Sequence, residues 1–377
     1  MNPQEILPDL IANAELPGTS NAGMSACVQN HLSRAGAKFT VLPGPEGDRD
    51  NIFATLGPQD QPGYLLSGHM DVVSVAGQSW STDPFRLTER NGTLFGRGTS
   101  DMKGFLACML ATAYSVDGDA LARPLHMAFS YDEEIGCRGV GHLIKKLPEL
   151  CAPPLGCIIG EPSNMVPVLS HKGKQAIVLN FKGTAAHSSD PKAGLNAIYP
   201  AAELALFVRN LNAELSSIGP FDAHFTPAHS TVVAGIMTGG VAINIVPDAC
   251  SLKIECRAIP QQSPAEIMRQ VTAFAERSVT DGTALSVDID MLSQYPALPP
   301  PRDDTLTRLM EKLTRQKAIS AVSYGTEAGI FAQSGLPSII CGPGSISRVH
   351  RPDEYITRLE LEKCYTILMR LATTLAP

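Results

Sequence analysis

The chain has 377 residues, 44% of them hydrophobic and 18% charged, with a formal net charge of −7. That length holds two domains and a sizeable apolar core, and the acidic balance argues against nucleic acid as a partner, which would call for a basic face. The longest apolar runs, such as Val232 to Met237, are of strand length and fall short of the roughly 20 residues a bilayer needs, so no membrane partner is expected.

The amino-terminal stretch has no basic segment leading into an apolar one, so no secretory signal is read there. Nine cysteines are scattered without a C-x-x-C pair, and their number is odd. Reduced, mostly buried thiols in a cytoplasmic protein fit that pattern better than a disulfide framework or a thiolate zinc site.

Pro3 to Ala14 and Asn21 to Ala35 carry apolar residues at helical spacing. Asn51 to Thr55, Gly63 to Gly68, Leu125 to Tyr131 and Leu155 to Ile159 read as strands, and Lys103 to Ser115 as a helix. Such alternation predicts an α/β sheet with helices on both faces. After His171 the pattern changes. Strands are predicted over 174–182, 231–237, 251–258 and 284–290, with helices over 194–214 and 264–279, the second capped by Ser263 and begun by Pro264. That order is βαββαβ, a ferredoxin-like α+β module. The proline-rich segment 296–301 then serves as a stiff connector, and α/β alternation resumes over 304–317, 327–334, 337–341 and 359–375. The expected organisation is one α/β domain made of residues 1–173 and 294–377, interrupted by a smaller domain of residues 174–293.

The chemistry lies in short segments at predicted strand ends. In Leu65-Leu-Ser-Gly-His69-Met-Asp71, Asp71 sits two residues beyond His69, where it can orient a metal-bound imidazole. Asp101, in a glycine-rich loop before a helix, reads as a helix cap or as a carboxylate shared by two metals. Asp132-Glu133-Glu134 follows an apolar run, and adjacent buried carboxylates need a cation or protons. Glu161 ends another strand before Pro162. His350 lies in a loop after the last apolar strand. Two histidines and several carboxylates suit zinc, or cobalt or manganese in its place. A pair of metals roughly 3.5–4 Å apart needs one shared carboxylate and an uncommitted acid for proton transfer. Gly139-Val-Gly141 resembles a dinucleotide fingerprint only in part: Ile144 stands where the third glycine belongs, and acids lie just upstream.

In this order, these segments resemble the co-catalytic zinc amidohydrolases: acetylornithine deacetylase, succinyl-diaminopimelate desuccinylase, aminoacylase and the glutamate-releasing carboxypeptidases. The resemblance implies a zinc-exopeptidase-like catalytic domain, with residues 174–293 as its lid and dimerisation domain, and hence a homodimer. It assigns His69 and Glu161 to one Zn2+, Glu134 and His350 to the other, and Asp101 as the bridge, followed by a cis Asp101–Met102 bond. Glu133 becomes the general base for a water bridging the zincs, and Asp71 the orienting acid. His187 resembles the lid histidine that reaches a partner's site, while Arg257 and Asn244 resemble the clamp for a substrate carboxylate. Ser323-Tyr-Gly-Thr-Glu327-Ala-Gly329 is most similar to acetylornithine deacetylases, with Glu327 facing a cationic side chain or capping a helix. The implied reaction is hydrolysis of N2-acetyl-L-ornithine to L-ornithine and acetate, in arginine biosynthesis. Acetylcitrulline, succinyl-diaminopimelate or a general aminoacylase substrate are the alternatives, and a catalytically dead binding relative is the rival class.

Overall fold

The computed structural model describes residues 1–377, which divide into two compact units. Unit 1 comprises Met1–Ser170, Pro299–Ala321 and Thr326–Pro377; unit 2 comprises His171–Leu298 and Val322–Gly325.

In chain order, unit 1 begins with helices α1 (Pro3–Ala12) and α2 (Ala22–Arg34), then strands β1 (Lys38–Pro43), β2 (Asp50–Leu56) and β3 (Tyr64–His69). Helix α3 (Gly104–Ser115), strand β4 (Leu125–Ser130), helix α4 (Val140–Leu150) and strand β5 (Gly156–Pro162) follow. α1 starts at a reciprocal cap: the Glu5 amide donates to the Asn2 side chain at 3.1 Å, and the Asn2 amide donates to Glu5 at 2.8 Å. α3, of sequence GFLACMLATAYS, is buried along nearly its whole length, as expected of a helix apolar all round.

Unit 2 is built from β6 (Gly173–Lys182), α5 (Ile198–Ile218), β7 (Thr231–Gly239), β8 (Ala249–Ala258), α6 (Pro264–Thr280) and β9 (Ser286–Tyr295). Its four antiparallel strands lie in the order β7-β8-β6-β9, the ferredoxin-like arrangement that βαββαβ predicts. Its core joins Ile177, Leu179 and Phe181 of the sheet to Leu204, Val208, Ile267 and Val271 of the helices. α5 begins at Ile198 instead of Gly194, because Leu195 pairs with Thr184 in an isolated antiparallel bridge ahead of it. Ser263 occupies the cap of α6 without a capping bond from its side chain.

Unit 1 is completed by α7 (Thr305–Thr314), α8 (Ala328–Gln333), β10 (Ser338–Gly342) and α9 (Arg358–Thr373). Its six-stranded sheet has the order β1-β2-β4-β3-β5-β10. The β4, β3, β5 and β10 strands are parallel, and β1 and β2 are antiparallel additions at one edge. Successive strand residues face opposite sides. A Cβ on Gly68 would meet Leu106 of α3, whereas Ser67 bonds Glu327 beside α8, so helices cover both faces as expected. Gly160 has the same origin: a Cβ there would lie 1.9 Å from the Phe105 ring, so only glycine lets α3 pack this close to β5.

All nine cysteines are free, and seven are buried. No helix is long and apolar enough to cross a membrane.

Candidate metal centre

The parallel strands β4, β3 and β5 end side by side, and each delivers acids or a histidine at its carboxyl end, where an open α/β sheet gathers ligands. β3 ends on His69, β4 runs into Asp132-Glu133-Glu134, and Glu161 lies on β5. The ligand atoms of His69, Glu133 and Glu161, and of His69, Asp101 and Glu134, lie within 4.8 Å of one another.

Asp101 enters from the loop between a short hairpin (Thr88–Arg90 and Thr93–Phe95) and α3. Gly98 turns this loop at a φ of 86°, and the Asp101–Met102 peptide is cis, as the resemblance implies. The Asp101 Oδ1 atom lies 3.1 Å from His69 Nε2, while Oδ2 lies 3.2 Å from His350 Nε2. Glu161 is 3.7 Å from the first histidine, and Glu134 is 3.1 Å from the second. Asp101 thus lies between the two histidines, each of which has a further carboxylate beside it.

The electrostatics of this cluster fit divalent cations. Burial, with the charges of Asp101 and Glu133, pushes Glu161 well above the usual carboxylate range. Burial and Asp101 push Glu134 up to about 7. Burial, with Glu134 and Glu327, raises Glu133 well above its ordinary value. Asp101 moves the other way: its contacts to His350 and His69 outweigh burial and hold it low. His350 is lifted to about 10 by its bonds to Asp101 and Glu134. Buried like charges of this kind disfavour one another unless cations compensate them. The donor set, with no sulfur in it, suits zinc or a similar ion.

Asp71 is placed differently in detail from expectation. His69 Nδ1 lies 3.0 Å from the Asp71 backbone carbonyl and 3.5 Å from its carboxylate. That carboxylate accepts the amides of Glu133 and Glu134, each at 3.1 Å, so it braces the next strand end as well. Cys137 donates its thiol to Glu133 Oε1 at 3.3 Å. Asp132 serves the scaffold: it accepts the Gly18 amide and, at 2.6 Å, Arg49.

Glu327, expected at a substrate side chain or as a helix cap, occupies the N-cap position of α8 without a capping bond from its side chain. It is 1% exposed, and its carboxylate accepts the hydroxyls of Ser67 and Ser130. Thr326 rather than Glu327 supplies the side-chain oxygen at the start of α8, accepting the Ala328 amide at 3.0 Å.

Unit 2 carries the other three candidates. His187 is exposed, on a two-residue strand paired with Ile245–Val246, and its Nδ1 lies 2.7 Å from Ser189 Oγ. Asn244 is a close neighbour, its carbonyl accepting the Ser188 amide at 3.0 Å. Arg257 lies on β8, where its Nε donates to Glu255 at 2.8 Å and Nη1 to the Tyr295 hydroxyl at 3.5 Å. Glu255 also pairs with Lys174 at 3.1 Å.

Sequence reasoning missed Glu354. It is buried, and its carboxylate accepts four donors in the Arg97–Asp101 segment. An acid just ahead of the apolar Tyr355-Ile356 pair was the available signal.

The family described as Peptidase family M20/M25/M40 matches residues 65–374. An acetylornithine deacetylase of Shigella sonnei (strain Ss046) is 34% identical over 352 residues, covering 93% of this chain and 90% of that protein. Among solved structures, an M20 family metallo-carboxypeptidase from Sulfolobus solfataricus superimposes with a TM-score of 0.79 at 17% identity, covering 99% of this chain and 98% of that one. A tripeptidase from Staphylococcus aureus does so with a TM-score of 0.76 at 19% identity, covering 100% and 99%. The chain is a hydrolase of amide bonds and belongs to peptidase family M20/M25/M40.

Proposed function

We propose that the protein removes the acetyl group from N2-acetyl-L-ornithine, releasing L-ornithine and acetate, as a step of arginine biosynthesis. The observation that carries the metal chemistry is the division of Asp101 between His69 and His350, at 3.1 and 3.2 Å, beside the uncommitted acid Glu133. The 34% identity to an acetylornithine deacetylase supports the substrate.

His69 and Glu161 would hold one zinc ion, Glu134 and His350 the other, with Asp101 shared. When bound, such a pair lowers the pKa of a shared water toward about 7 and polarises the acyl carbonyl. Glu133 takes the proton from the attacking water on its carboxylate and returns it to the leaving amine. Asp71 keeps Glu133 and Glu134 in register through their amides. Arg257, with Asn244, binds the substrate carboxylate, for which a guanidinium fork is suited.

Unit 2 acts as lid and dimerisation domain in this reading, and His187 reaches the partner's site. The support is an edge strand, β7, with exposed Val233, Ile236 and Met237, next to exposed Val241 and Ile243. Exposed apolar side chains along the open edge of a sheet suit an interface.

The test is a rate comparison on zinc-loaded protein between N-acetyl-L-ornithine, N-succinyl-diaminopimelate and N-acetylmethionine. A kcat/KM at least tenfold higher for N-acetyl-L-ornithine supports the assignment. Equal or better turnover of either other substrate would withdraw the ornithine claim and leave a deacylase of another N-acyl amino acid.

A further inference from the structure

Close to a cluster already crowded with acids, the fold buries one more carboxylate. Glu354 is 1% exposed. Burying an ion pair is costly, and stability alone is a weak reason to do so. The partners of this one point to another reason. Glu354 Oε1 accepts the amides of Ser100 at 2.8 Å and Asp101 at 3.0 Å. Its Oε2 accepts the Gly98 amide at 3.1 Å and Arg97 Nη1 at 2.6 Å. All four partners are donors, so only an anion with two accepting oxygens satisfies them together.

The same residue stands four positions after His350. Its carbonyl accepts the Gly96 amide at 3.0 Å, and the carbonyl of Tyr355 accepts the Ser100 hydroxyl at 2.8 Å. Arg97 extends the connection: its Nη2 donates to Gln78 Oε1 at 2.7 Å, and Gln78 Nε2 donates to the His350 carbonyl at 3.2 Å. The Arg97 guanidinium also lies 5.0 Å over the Trp80 ring, which holds its plane. One carboxylate and its counter-charge therefore tie the loop of the shared ligand to the loop of a terminal ligand.

We propose that Glu354, paired with Arg97, is a positioning residue that sets the spacing between Asp101 and His350, and with it the affinity of the half-site formed by Asp101, Glu134 and His350. The inference rests on the reading of those residues as ligands of two metal ions. Both oxygens of Glu354 are taken by these four donors, so it acts through the backbone of Asp101.

The test uses full-length protein, freed of metal and titrated with Co2+ by calorimetry and visible absorption, as the parent and as Glu354→Gln. In the variant an amide N–H faces a donor whichever way the side chain turns, while size and shape are kept. The parent should bind two equivalents. Glu354→Gln should bind the first as the parent does and the second about 10- to 100-fold more weakly, with an altered cobalt absorption band. Its kcat should fall by a similar factor, with KM within about threefold.

Glu354→Asp keeps the charge but is one methylene short of the four donors. It should show the same selective loss, and it carries the test if Glu354→Gln does not fold. Unchanged affinity for both ions would overturn the positioning role, even if the melting temperature dropped. Failure of the parent to bind two ions would overturn the two-metal reading itself, and the inference with it.

Discussion

The Asp71 carboxylate accepts the backbone N–H of Glu133 at 3.1 Å, so an acid two residues beyond His69 also fixes the strand end that carries the proposed general base. Its second oxygen takes the Glu134 amide at the same distance. Asp71→Asn turns one of these acceptors into a donor facing a donor. The expected result is a fall in kcat of about 10- to 100-fold in a folded protein. Steady-state kinetics on metal-loaded enzyme checks this, and a kcat within twofold of the parent would refute the bracing role.

Glu133→Gln keeps the volume and removes the basic site. General-base catalysis is worth roughly 10²- to 10⁴-fold, so kcat should drop by that amount. Bound metal, measured by elemental analysis, should stay at the parent level, because Glu133 is not among the five proposed ligands. Loss of metal together with activity would make Glu133 a ligand instead.

Part of this centre was legible in the chain because His69, Glu133, Glu134 and Glu161 lie at the ends of predicted strands. A short apolar run forms a buried strand, and the polar residues that follow sit at its rim; that logic singles out these four, while their roles come from the family resemblance. Asp101 stayed ambiguous between cap and bridge, because the answer lies in which atoms face its two oxygens across the fold. Glu327 reads as a polar residue at a helix start, and nothing local reveals that Ser67 and Ser130, some 260 and 197 positions away, claim its carboxylate. Glu354 was invisible for the same reason: its partners are main-chain amides more than 250 positions upstream. In the fold, β1 escaped notice as an edge strand whose exposure alternates without a long apolar run.

Arg257 is held along its Nε edge by Glu255 at 2.8 Å. A lysine cannot reproduce a fork anchored in this way. Arg257→Lys should raise KM for an N-acyl amino acid about tenfold or more while changing kcat little. With a substrate whose carboxylate is replaced by a carboxamide, parent and variant should turn over alike. A variant penalty of equal size on both substrates would show that Arg257 does not read the carboxylate.

His126 is buried in β4, 2.9 Å from the Thr55 hydroxyl and stacked on Phe53 at 5.3 Å between ring centres. Burial lowers its pKa to about 4. The unfolded chain, with a histidine pKa near 6.5, therefore binds more protons than the folded one between those values. The neutral histidine's contribution is intact above about pH 6.5 and is lost progressively as pH falls toward about 4, a difference on the order of 3 kcal/mol. Denaturant melts across that window should show a shallower acid loss in His126→Phe than in the parent. Parallel curves would exclude His126 as the source.

The most direct test of the account is removal and return of the metal. Protein stripped with a chelator should lose N-acetyl-L-ornithine hydrolysis, and stepwise addition of Zn2+ should restore it in proportion to two bound equivalents per chain. His350→Ala should bind only the first equivalent with parent affinity. Full activity in stripped protein, or saturation of both binding and activity at one equivalent, would contradict the two-metal centre divided by Asp101.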